Sequence, residues 1–166
     1  MTEADAPEVT DEPVEREKGP AFAEVPGPTV RFRFTKHGKV RFTSHRDVAR
    51  LWERALRRAG LGVVYSEGFS PRPRVAFGLA LPTGHASDGE YVDIRLDHEP
   101  TEALSILCAR LTEVLPDGIT VPVAEVIPPG TPSLQEAVVA CTWTADLGGP
   151  TLDQVEAAIV ATLAAD

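Results

Sequence analysis

Apolar and polar residues alternate from Val30 to Phe34 (VRFRF), the period of a half-buried β-strand. A turn at His37, Gly38 and Lys39 interrupts the alternation, and Val40 to Phe42 resumes it. Phe32, Phe34, Val40 and Phe42 are therefore expected to face the core, with Arg31, Arg33 and Arg41 on the other side. The period then changes. Val48, Leu51, Trp52, Ala55, Leu56 and Ala59 recur at helical spacing and form one apolar stripe. Ser44 with Asp47 three residues on gives a start resembling a capping box. Gly60 stands where a left-handed residue ends a helix, with Leu61 placed to pack back.

Further along, Val63 to Tyr65 reads as a short strand, and Ser66 to Arg74 as a loop broken by Gly68, Pro71 and Pro73. Val75 to Leu81 is a strand expected to be buried on both faces. After a loop from Pro82 to Gly89, Glu90 to Leu96 alternates as another strand. A helix is expected from Pro100 or Thr101, with Leu104, Leu107, Cys108, Leu111 and Leu115 as its apolar side. Ile119 to Ile127 is a strand that Pro122 confines to an edge. This order predicts an α+β, ferredoxin-like domain over residues 30–127, an antiparallel sheet with two helices on one face. Residues 128–166 add a turn at Ser133 to Glu136, a strand from Val138 to Leu147 and a helix from Thr151 to Ala164. They read as an incomplete second β-α unit, docked on the first or truncated. Residues 1–29, rich in acids, proline and alanine, bury too little apolar surface to offset the entropy of ordering and read as a disordered tail.

With 166 residues the chain has room for one domain or little more. No apolar run reaches the roughly 18 residues of a membrane span, and the acidic start lacks the apolar core of a signal peptide. Cys108 and Cys141 are far apart without metal-ligand spacing, as in a cytoplasmic protein. The net charge of −9 conceals a segregation that alters the picture. Residues 1–29 carry eight acids and two bases; residues 30–80 carry twelve bases against Asp47, Glu53 and Glu67; residues 81–166 carry fourteen acids against Arg95 and Arg110. Thirteen of the sixteen bases are arginine and asparagine is absent, which the codon usage of a GC-rich genome would explain. Codon usage does not explain the clustering.

The clustering centres on the first helix. Arg46, Arg50, Arg54 and Arg57 with Arg58 follow one another about a turn apart, and only Glu53 offers an i,i+4 partner. Like charges so spaced destabilise a helix by roughly 0.2–0.5 kcal/mol per pair unless a polyanion neutralises them. Arg72 and Arg74 bring further charge in the next loop, with Tyr65 and Phe69 as aromatic neighbours. Backbone-tracking charge interleaved with aromatic rings is how single-stranded nucleic acid is held. The candidate surface, for nucleic acid or a partner, is Lys39, Arg41, His45, Arg50, Arg54, Arg57, Arg58, Tyr65, Phe69, Arg72 and Arg74. Ser44, His45 and Asp47 are too close along one helical turn to converge as a triad. His45 acting alone as a general base is the enzymatic alternative, a metal-independent ribonuclease. His37, His85 and His98 stand isolated in turns and loops. No metal-ligand, phosphate-loop or dinucleotide motif occurs, so no cofactor is expected.

The run RFTSHRDVARLWERALRRAGLGVVYSEGFSPRPRVAFGLALPTG (residues 41–84), then GEYVDIRL (89–96) and TPSL (131–134), resembles the bacterial radical SAM-linked protein family. Members of that family carry a domain of unknown function, alone or fused after a cobalamin-binding radical SAM protein, often near a ribonuclease of the E/G type. The resemblance implies an accessory role beside a radical SAM protein with a cobalamin-binding domain, with RNA as a further partner. Arg46 stands where the family pattern is apolar. The chain has no CxxxCxxC cluster, so radical chemistry would belong to the partner. The helix and glycine-containing loop also resemble CRISPR repeat-processing endoribonucleases, a fold-level analogy. The expected function is thus a non-catalytic accessory module that binds RNA through a basic helix and loop. The alternatives are the ribonuclease and a domain that only docks on the radical SAM protein.

Overall fold

The computed structural model describes residues 27–165. The expected disordered tail lies outside them except for its last three residues. The elements are β1 (Thr29–Lys36), a short 3-10 turn (Gly38–Phe42), α1 (His45–Arg58), β2 (Val75–Phe77), β3 (Ser87–Arg95), α2 (Leu104–Val114), β4 (Val123–Ile127), α3 (Leu134–Ala137) and α4 (Leu152–Leu163). The strands form one sheet in the order β2-β3-β1-β4, every neighbouring pair antiparallel. A β-α-β-β-α-β chain threaded in that order is the ferredoxin-like arrangement of an α+β fold.

One face of the sheet is apolar because the alternation is strict. Val30, Phe32 and Phe34 of β1 and Val92 and Ile94 of β3 point inward, against Trp52, Ala55 and Leu56 of α1 and Cys108 and Leu111 of α2. Trp52 is wholly buried, with Phe32 and Phe34 rings 6.1 and 5.2 Å away. Such aromatic pairs add about 0.5–1.5 kcal/mol beyond the area they bury.

Both ends of α1 are built as the sequence implies. The Ser44 hydroxyl accepts from the Asp47 amide at 3.2 Å and donates to the Asp47 carboxylate at 2.7 Å. At the other end Gly60 has φ +64°. Its amide donates to the Arg57 carbonyl at 3.2 Å, and the Leu61 amide to the Leu56 carbonyl at 3.1 Å. That pair of bonds is the Schellman closure.

Elsewhere the structure departs from the expected elements. Val40 to Phe42 is a 3-10 turn rather than a strand, so Val40 is buried but Phe42 is 60% exposed. Only Val75–Phe77 of the expected long strand pairs, at the sheet edge and half-buried, because Gly78 turns the chain away and Leu79 emerges. Val63 to Tyr65 makes two isolated bridges, Val63 to Leu96 and Tyr65 to Pro73, rather than a strand. Helix α2 begins at Leu104, behind Ala103, whose methyl group cannot accept a capping hydrogen bond. Edge strand β4 starts at Val123, directly after Pro122. Val138 to Leu147 forms no strand and pairs with neither β2 nor β4 at the sheet edges, although Trp143 packs edge-on against His85 at 5.4 Å. Helix α4 buries none of its side chains among the described residues. Leu134 of α3 is buried, and the Gln135 side-chain amide donates to the Phe77 carbonyl at 2.7 Å, covering the outer edge of β2.

Candidate nucleic-acid interface

Because Val48, Trp52, Ala55 and Leu56 fasten α1 to the sheet, helical geometry turns Arg46, Arg50, Arg54, Arg57 and Arg58 outward, and all five are exposed. Arg50 reaches Asp47 at 3.4 Å. The Ser44 hydroxyl, and behind it Arg50, holds the Asp47 carboxyl below its ordinary range. Arg46, Arg54, Arg57 and Arg58 have no ion-pair partner among the described residues, and Glu53 does not reach Arg57. Arg57 and Arg58 sit in the last turn, where cations complement the helix dipole. That accounts for two charges of the row, Asp47 offsets Arg50, and Arg46 and Arg54 are left unneutralised among the described residues.

The loop after α1 is pinched at its base. The Ser66 amide donates to the Arg72 carbonyl at 2.8 Å, and the Arg72 amide to the Ser66 hydroxyl at 3.1 Å. Beyond this neck Phe69 is fully exposed, and Tyr65 is 41% exposed beside it in sequence. Lys39 and Arg41 lie exposed on the 3-10 turn, with the Arg41 guanidinium 4.6 Å from the centre of the Phe42 ring. His45, at the first position of α1, is exposed and meets the Phe77 ring edge-on at 5.2 Å.

One predicted member turns elsewhere. Val75 packs on the core, so by strand alternation Arg74 is directed to the opposite, open face of the sheet. It lines a groove there with Arg31 and Arg95. The α1 arginines and Arg74 therefore stand on opposite sides of the sheet, and the predicted surface is divided.

Two features escaped the sequence reading. Arg31 is held by Asp93 through two bonds of 2.8 Å each, on the open face of neighbouring strands. The like phase of the two alternating runs, VRFRF and EYVDIRL, is the signal that could have found it. Lys36 is the other. It continues the inward row of Val30, Phe32 and Phe34, is only 2% exposed, and donates to the Thr43 carbonyl at 3.0 Å. Burial pushes its pKa below the ordinary lysine value, and Glu90 opposes that shift. Lys36, His45 and Glu90 border one small cavity of about 10 Å³ with Phe34 and Phe77, a space of the order of one water molecule.

Among the described residues no cluster of potential metal ligands occurs, and no helix is long and apolar enough to cross a membrane. Residues 29–166 match the family described as "Uncharacterized protein conserved in bacteria (DUF2344)". No curated protein matches the chain.

Proposed function

The chain belongs to the DUF2344 family of bacterial proteins, and from that premise we propose that it is a non-catalytic accessory module that binds single-stranded RNA along the outer face of α1 and the Ser66–Arg72 part of the loop that follows it. The observation that carries this reading is the row of Arg54, Arg57 and Arg58, exposed and without carboxylate partners among the described residues, on a helix followed in the chain by a loop that displays Phe69. A phosphate backbone would neutralise the row, and unstacked bases would find Tyr65 and Phe69 as platforms. Arg72 extends the charge into the loop, while Lys39, Arg41 and Arg50 extend it toward the start of α1.

The test is fluorescence anisotropy with a labelled oligouridylate. The Arg54→Glu, Arg57→Glu double variant should weaken binding at least tenfold with an unchanged circular dichroism spectrum. For the unaltered protein, log K should fall linearly with log salt, with a slope of about −0.7 for each phosphate neutralised. Binding that ignores salt, or survives the double reversal, would sink the proposal.

The ribonuclease reading draws less support. His45 faces an aromatic edge, and no carboxylate pairs with it among the described residues to fix its tautomer. Association with a radical SAM protein carrying a cobalamin-binding domain rests on the resemblance of residues 41–84, 89–96 and 131–134 alone. Its test is co-purification with that partner before and after nuclease treatment; a nuclease-sensitive complex places RNA between the two.

A further inference from the structure

The open face of the sheet holds a second cationic site, built by strand register rather than by a helix. Val75 pairs with Ile94 and Thr29 with Arg95, so Arg74, Arg95 and Thr29 form one cross-strand row. Three backbone bonds pin its two charges side by side. The Arg95 amide donates to the Arg74 carbonyl at 3.2 Å, the Arg74 amide to the Val64 carbonyl at 2.7 Å, and the Val64 amide to the Arg95 carbonyl at 2.9 Å. Like charges directly opposite each other on one face destabilise a sheet. Asp93, in the next row, is held through both its oxygens by Arg31 at 2.8 Å. Neither Arg74 nor Arg95 has an ion-pair partner among the described residues.

The pair opens into a groove of about 970 Å³, at the upper end of the roughly 300–1,000 Å³ of small-molecule sites. Val126, Pro128 and Pro129 give its lining an apolar stretch, and Thr29 adds a hydroxyl beside Arg95. Glu99 also lines the groove and pairs with neither arginine, so its charge opposes an anion without cancelling the two cations. A guanidinium presents a planar fork of donors that fits phosphate oxygens two at a time. A phosphomonoester brings three acceptor oxygens and a charge of about −1.5 to −2 at pH 7, enough for both arginines. A carboxylate or a phosphodiester carries one charge and leaves one arginine unneutralised.

We propose that this groove binds a small organic phosphomonoester, its phosphoryl oxygens bridging Arg74 and Arg95 and its apolar body lying against Val126, Pro128 and Pro129. The inference is independent of what the α1 face binds, since it concerns the opposite side of the sheet and a terminal phosphate rather than a diester.

Titration calorimetry of the full chain with phenyl phosphate, inorganic phosphate and benzoate tests it. Phenyl phosphate should bind once per chain, about tenfold more tightly than benzoate, which has one charge, and more tightly than inorganic phosphate, which has no apolar body. The Arg74→Gln, Arg95→Gln variant should lose at least about tenfold in affinity for phenyl phosphate. Glu99→Gln should gain about threefold, and Arg54→Glu, Arg57→Glu should leave the affinity unchanged. No binding of phenyl phosphate at millimolar concentration overturns the proposal, as does equal affinity for benzoate. Unchanged binding in the groove variant, or loss in the α1 variant alone, places the phosphate elsewhere and overturns it as well. Displacement of phenyl phosphate by an oligouridylate without terminal phosphates makes the groove an RNA surface, which also overturns it. Should the groove variant unfold, the unaltered protein supplies the second reading. Phenyl phosphate must shift the Nε–H resonances of Arg74 and Arg95 and leave those of Arg54 and Arg57 in place, and unshifted groove resonances refute the site.

Discussion

Lys36 carries a charge inward because it occupies the fourth inward position of a strand whose first three are Val30, Phe32 and Phe34. Its ammonium has one protein acceptor, the Thr43 carbonyl, and titratable neighbours in Glu90 from β3 and His45 from α1. Burial lowers its pKa in the folded protein below 10.5. Between the folded value and 10.5 the unfolded chain binds the proton more tightly, so stability rises as pH climbs through that interval. Lys36→Met should abolish this alkaline rise, which urea midpoints across the interval would measure; an unchanged pH dependence would exclude Lys36 as its source.

At the scale of the element, α1 is held by its ends and its stripe together. Removing the Ser44 hydroxyl deletes both the N-cap bond and the hydrogen bond that holds the Asp47 pKa below its ordinary value. Ser44→Ala should lower stability by about 1 kcal/mol in chemical denaturation. This helix was fully legible in the sequence, from cap to Gly60, because every signal for it is local. The short β2 was not. Whether Phe77 to Leu81 stays in the sheet depends on Gly78 turning away, and on α3 covering the outer edge of β2 through Gln135. An apolar run reads the same in a long central strand and in a short edge that leaves the sheet. The expected strand at Val138 to Leu147 fails for a related reason: alternation supplies a pairing face but cannot supply a partner edge.

For the whole molecule, the ferredoxin-like unit carries the buried core, whereas α4 leaves Leu152, Ile159, Val160 and Leu163 at 71, 52, 67 and 75% exposure. A chain ended at Gly149 should therefore melt within about 2 °C of the full protein, since even 1 kcal/mol moves a domain of this size by roughly 4–8 °C. A larger drop in calorimetry would show that α4 contributes to the fold.

The sequence by itself determined the fold class, the capped helix and the outward arginine row, since these follow from periodicities of two and 3.6 residues and from neighbours a turn apart. Only the tertiary structure decided that Arg74 departs from that row to stand beside Arg95. That pairing depends on the register of Val75 with Ile94, which joins residues close in space but distant along the chain. Register also gave Asp93 to Arg31 and left the two arginines of the groove without it. Local pattern fixes the face a side chain takes, and strand pairing fixes its neighbours there.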